Sequence, residues 1–228
     1  MKPLIKPLGD AALTVEFENI IREDVNRRVM ELDKKLKQEN IPEIQETIPS
    51  YRALLVYYDP LKSTFAKLRR KIKELDRKKT EAEDFCGKTV DIPVCYGGSF
   101  GEDLAYVAAY CGLSREDVIR IHSAGKYRIY MLGFLPGFPY LGGMDPKLVT
   151  PRLKTPRTKI PAGSVGIGGA QTGIYPSASP GGWQLIGRTP VRTYDPERDP
   201  QILYEPGDYI RFYPISEKEF YDMEEPLS

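Results

Sequence analysis

The residues best equipped for chemistry in this 228-residue chain fall after position 120. His122 is the only histidine. Its ordinary pKa lies near neutrality, so it is the default general acid or base. It also ends a short helical pattern in which Val118 and Ile121 turn inward, where a histidine can serve as a cation at the helix C-terminus. Residues 133–143, GFLPGFPYLGG, alternate Phe134, Phe138 and Tyr140 with glycine and proline. That segment reads either as a flat apolar wall beside a ligand or as a tight corner packed by its own rings. In residues 151–176, Arg152, Lys154, Arg157 and Lys159 lead into a glycine-dense run, with Gly168 and Gly169, that closes on Gln171 and Tyr175. Backbone N–H groups in such a run can cradle an anion, and an arginine can clamp a carboxylate through two parallel bonds. A strand-turn-strand with glycines at the bend is the alternative. Residues 179–190, SPGGWQLIGRTP, add Trp183 and Arg188. These two are either core and surface respectively, or the completion of a pocket with Gln171.

Several chemistries are excluded by what is missing. No Gly-Lys-Ser/Thr follows the glycine run, so it is not a phosphate-binding Walker loop, and no long helix follows it as a dinucleotide fold requires. No Gly-x-Ser-x-Gly elbow accompanies His122. One histidine and the unpaired Cys86, Cys95 and Cys111 do not make a metal site, and the three cysteines read as reduced thiols. Lys+Arg 33 against Asp+Glu 32 removes the electrostatic case for bulk nucleic-acid binding. No apolar run approaches the ~20 residues that cross a bilayer. MKPLIKPLGD is not a targeting segment, and the expected location is cytoplasmic.

The elements that must position these residues divide at about residue 86. In 1–86 the spacing predicts a hairpin of 3–8 with 11–17. A helix follows, capped by Asn19 and striped by Ile21, Val25, Val29, Leu32 and Leu36. Strands 43–48 and 51–58 precede a second helix striped by Leu61, Phe65, Leu68, Ile72 and Leu75. With strand 88–95 the order β-β-α-β-β-α-β fits helices on one face of an antiparallel sheet, a ferredoxin-like layout. In 87–228, short helices at about 102–111 and 115–124 precede strands at 127–132, 164–168, 183–187, 190–194, 201–204 and 209–213. Many short strands between Gly/Pro turns indicate a barrel or sandwich.

Two of these stretches also carry a resemblance. HSAGKYRIYMLGFLPGFPYLGG, followed by PRTKIPAGSVGIGGAQTGIYPSASPGGWQLIGRTP, resembles the family called allophanate hydrolase subunit 1, or carboxyltransferase subdomains C and D. The similarity extends over essentially the whole chain. That family includes the B-type component of 5-oxoprolinase and the Kip inhibitor of a histidine kinase. The resemblance implies an α+β fold, with a small ferredoxin-like N-terminal domain and a cyclophilin-like β-barrel domain. It implies a carboxyltransferase A/B-type partner and a third subunit, which together open 5-oxoproline to glutamate at the expense of ATP. Any ATP site would be shared with the partner. Without a biotinyl-lysine motif, any biotin would sit on another protein. On this reading Arg157 or Arg188 anchors the substrate carboxylate. Phe134, Phe138 and Tyr140 form the wall, with Tyr175 and Trp183 beside them. Gln171 and the N–H groups around Gly168 and Gly169 hold the lactam amide, and His122 moves the proton. The alternatives that the family carries are inhibition of a sensor kinase and carboxyl transfer to urea or a related amide.

Overall fold

Along two neighbouring strands of the first half, Leu13, Val15, Leu54 and Val56 are fully buried while the residues between them are partly exposed. That alternation turns one face of a sheet toward helices, as strand geometry requires. The computed structural model describes residues 2–78 and 87–224. It divides into two units, Met1–Cys86 and Gly87–Ser228.

In the first unit, β1 (Leu4–Leu8), β2 (Ala12–Glu16), β3 (Ile44–Pro49) and β4 (Ala53–Tyr58) form an antiparallel sheet in the order β1-β2-β4-β3. The helices α1 (Glu23–Gln38) and α2 (Phe65–Arg77) set Val25, Val29, Leu32 and Leu36, and Leu68, Ile72 and Leu75, into its core. Two expected details are corrected. Asn19 does not cap α1, which starts after Arg22 with Glu23 and Asp24 in its first turn. Ile21 and Leu61 precede their helices and are exposed. Strand β5 (Thr89–Tyr96), the last member of the expected series, pairs in the second unit.

The second unit is built on a seven-stranded sheet of order β10-β9-β12-β5-β13-β6-β7. Its strands are β5, β6 (Tyr127–Leu132), β7 (Pro139–Gly142), β9 (Ser164–Gly168), β10 (Gln171–Ile174), β12 (Gln184–Arg188) and β13 (Tyr209–Ile215). Only β5 and β13 run parallel. The two end strands β7 and β10 lie against each other, so the sheet nearly closes as a barrel. A short ribbon of β8 (Arg157–Ile160) and β11 (Ser179–Gly181) stands apart. Helices α3 (Leu104–Cys111) and α4 (Arg115–Ala124) add Leu104, Val107 and Val118 to the core of Ile92, Ile129, Ile167, Ile174 and Phe212. Ser114 caps α4 by accepting from the Asp117 N–H.

Residues 190–194 and 201–204 are not strands, and the pair Tyr194–Ile202 is their only bridge. Backbone bonds from Leu203 N to Thr193 O and from Asp195 N to Gln201 O still join the two segments, and the Arg198 guanidinium fills the loop between them by binding the carbonyls of Arg192, Thr193, Pro200 and Gln201. Cys95 and Cys111 are free thiols, and Cys86 lies outside the described residues. Among the described residues no helix is long and apolar enough to cross a membrane.

Candidate functional site

The glycine run is a hairpin. Strands β9 and β10 pair from Val165–Ile174 to Gly168–Gln171, leaving a two-residue loop, Gly169–Ala170. Gly169 has φ +67°, which a glycine at the first loop position of a tight hairpin supplies without strain. Its N–H donates to Thr150 O at 2.8 Å. The expected anion cradle around Gly168 and Gly169 is therefore corrected, because that part of the backbone is committed to strand pairing.

Alternation along this hairpin sorts the predicted residues onto opposite faces. Val165, Ile167, Thr172 and Ile174 share one face, in the registers Ile167–Thr172 and Val165–Ile174. His122 belongs to that face. It is fully buried, with Nε2 2.8 Å from Thr172 Oγ1, Nδ1 2.8 Å from Tyr96 Oη, and its ring stacked 4.7 Å from Phe212. Thr172 Oγ1 donates to Gly166 O at 3.0 Å. Its hydroxyl proton is thus used, so it accepts from Nε2–H and leaves Nδ1 to accept from the tyrosine hydroxyl. Tyr127 Oη donates to the His122 carbonyl at 2.7 Å. Burial pulls the imidazole pKa down to about 3. A neutral ring with both nitrogens bonded and no exposed surface is a core pin. The proton-moving role expected of His122 is not what this position provides.

The opposite face is lined by glycines because an indole lies on it. A Cβ on Gly168 would overlap the indole of Trp183, and one on Gly173 would sit 3.1 Å from the same ring and 3.3 Å from Phe138. Phe138 is the centre of the resulting aromatic cluster. It meets Phe134 at 5.5 Å, Tyr140 at 5.2 Å, Tyr175 at 5.4 Å and Trp183 at 5.5 Å, all in tilted or edge-on contacts. Such geometry suits the ring quadrupoles. Phe138, Tyr175 and Trp183 are buried, Tyr140 is half-buried, and Phe134 is 62% exposed. Burial raises the Tyr175 phenol pKa.

Phe134 is held outward by its loop. Its φ of +65° is strained for a side-chain-bearing residue. Bonds from Leu135 N to Gly133 O (2.7 Å), from Phe138 N to Leu135 O (3.0 Å) and from Tyr204 Oη to Gly137 O (2.9 Å) maintain the turn. Gln171 stands at the start of β10, on the glycine face by alternation, and is partly exposed.

The arginines separate by what already occupies them. Arg157 gives Nε to Glu102 at 2.9 Å, one terminal nitrogen to Asp103 at 2.8 Å and the other to Trp183 O at 3.4 Å. Asp103 also accepts from Leu185 N at 2.6 Å. This arginine ties α3 and β8 to the edge of β12 and has no free fork for a substrate. Arg188 donates to Ala162 O, lies 3.8 Å from Glu224 and covers Phe220, in a cluster with Cys95 and Phe100 away from the tryptophan. Arg157 is thereby corrected as an anchor, and Arg188 lies in the Phe220 cluster apart from the aromatic patch. Arg152 is the cation at the cluster, exposed, with its guanidinium 5.7 Å from the Trp183 ring and no ion pair among the described residues. Its place in a basic run does not separate it from Arg157, because the acids that occupy Arg157 lie more than fifty positions away. Among the described residues no acid, histidine or thiol cluster could hold a metal ion.

The site is thus an aromatic patch with an exposed phenylalanine ring, a half-exposed tyrosine, an amide and, among the described residues, one guanidinium outside any ion pair. The family model of the carboxyltransferase domain, subdomain C and D, matches residues 3–204. The 5-oxoprolinase B subunit of Bacillus subtilis (strain 168) is 43% identical over 97% of this chain and 96% of its own length. The 5-oxoprolinase B subunit of Escherichia coli O157:H7 is 43% identical, covering 92% and 95% respectively. The crystal structure of TTHA0988 superposes with a TM-score of 0.80 at 39% identity, over 90% of this chain and 39% of that one.

Proposed function

The chain belongs to the carboxyltransferase subdomain C and D family, and from that premise we propose that it is the B-type subunit of a cytoplasmic, ATP-dependent 5-oxoprolinase. The observation that carries this reading is the identity to 5-oxoprolinase B subunits over nearly the full length of both chains. On this proposal the first unit is a ferredoxin-like domain and the second a cyclophilin-like barrel. The subunit works with a carboxyltransferase A/B-type partner and a third subunit, and is inactive without them.

5-oxoproline is a five-membered lactam bearing a carboxylate. Arg152, outside any ion pair among the described residues, takes the carboxylate as a charge-assisted pair. The edges of Phe134 and Tyr140 line the ring, and the Gln171 side-chain amide meets the lactam N–H or C=O. An amide is a poor electrophile, so ATP supplies the activation of its oxygen. The glycine run of this chain does not fit that cofactor, since its backbone is spent in the hairpin. The nucleotide site is therefore assigned to the partners or to a surface shared with them. With His122 buried and neutral, the acid and base also come from outside this chain's core.

Mixing the three subunits with 5-oxoproline and ATP should yield glutamate only when this chain is present. Equal turnover in its absence would end the proposal.

A further inference from the structure

Helix α2 has two faces of opposite character. Leu68, Ile72 and Leu75 face the core of the first unit. Residues 66–78 also carry seven cations against Glu74 and Asp76, in a chain whose net charge is only +1. Lys67 is paired with Glu43, and Lys71 and Lys78 with Glu39. Arg69, Arg70, Lys73 and Arg77 have no ion pair among the described residues, and with Ala66 and Glu74 they line a shallow groove of about 400 Å³. Arg69, Lys73 and Arg77 follow one another at four-residue steps. Like charges at that spacing repel and destabilise a helix. Elsewhere on the helix Arg70 and Glu74 stand at a favourable four-residue step, so the like-charge row is the Arg69–Lys73–Arg77 stripe.

We infer that this outer face of α2 is a docking surface for an acidic segment of a partner protein. From Arg69 to Arg77 the helix rises about 12 Å, a length that matches carboxylates on successive turns of an opposing helix. The lining argues against a nucleic acid, because the groove has no aromatic ring on which a base could stack. No large apolar side chain joins the stripe to enter a bilayer. The inference is independent of the oxoprolinase reading.

The test uses the full chain and a labelled glutamate-rich helical peptide, followed by fluorescence anisotropy at low ionic strength. A single-stranded oligonucleotide of equal charge and phosphatidylserine vesicles serve as rival probes. The peptide should bind, and added salt should weaken it. The K73E/R77E double variant should lose affinity on the order of tenfold or more, as expected when opposed charges become like charges. R69A/R70A, which removes charge without adding any, should shift affinity in the same direction. Arg27→Glu on α1 should leave it unchanged. Absence of peptide binding, wild-type affinity in either double variant, or tighter binding of the oligonucleotide or vesicles would overturn the inference.

Discussion

His122 and Arg152 exchange the roles that residue type alone suggests. A histidine titrates near neutrality only when water can reach its cation, and here the ring is sealed between Tyr96, Thr172 and Phe212. The unfolded chain binds a proton near pH 6.5 that the folded protein refuses until about 3. The folded pKa is depressed, so this contribution to stability is complete above pH 6.5 and is lost as the pH falls toward 3. His122→Gln should lower stability at neutral pH by roughly 2–4 kcal/mol through the broken hydrogen-bond network. It should also flatten the pH dependence between 6.5 and 3. Urea denaturation across that range checks both effects, and an unchanged slope would remove the histidine from the account. For Arg152→Ala, kcat/KM of the assembled enzyme should fall at least ~10-fold, the scale of a lost charged hydrogen bond to substrate. Arg188→Ala, in the separate Phe220 cluster, should leave it near wild type.

Among the elements, the β9–β10 hairpin shapes the site. Its side chains with bulk point to the core, and its glycines leave the space that Trp183 fills. Gly168→Ala should push the indole out of place and cost about 1–3 kcal/mol, the usual range for overpacking. Trp183 is the only tryptophan, so its emission reports the displacement directly. A variant with wild-type stability and an unmoved spectrum would show that the ring does not depend on that glycine. The Asp103–Arg157 pair performs the related task of holding the start of α3 against β12. The turn that carries Phe134 is closed for a local reason, by the backbone bonds from Leu135 N to Gly133 O and from Phe138 N to Leu135 O.

Across the molecule, each unit has its own hydrophobic core, one around Leu54 and Ile72 and the other around Ile129 and Phe212. Leu54→Ala and Ile129→Ala should each cost roughly 2–5 kcal/mol, as buried truncations do. In hydrogen exchange, each should raise the rates of its own unit's amides and leave the other's slowest amides protected. Loss of protection in both units from either variant would mean that they unfold as one.

The helices, most of the strands and the location of the glycine-aromatic segments are legible from the residues in order, because periodicity and turn chemistry are local properties. Helix α2 shows itself in Leu68, Ile72 and Leu75, and β13 in its branched and aromatic run. Residues 190–194 and 201–204 read as strands but form a loop crosslinked by the Arg198 guanidinium, and a side-chain crosslink of that kind leaves no trace in periodicity. Which residues of the site share a face emerges only when the chain has folded. Thr172 and Gly173 are adjacent in sequence, yet strand pleating sends one to His122 and the other to Trp183. Which arginine is left without an acid is equally a matter of folding. Glu102 and Asp103 come from a distant helix start to occupy Arg157, and no local pattern around position 157 records their arrival.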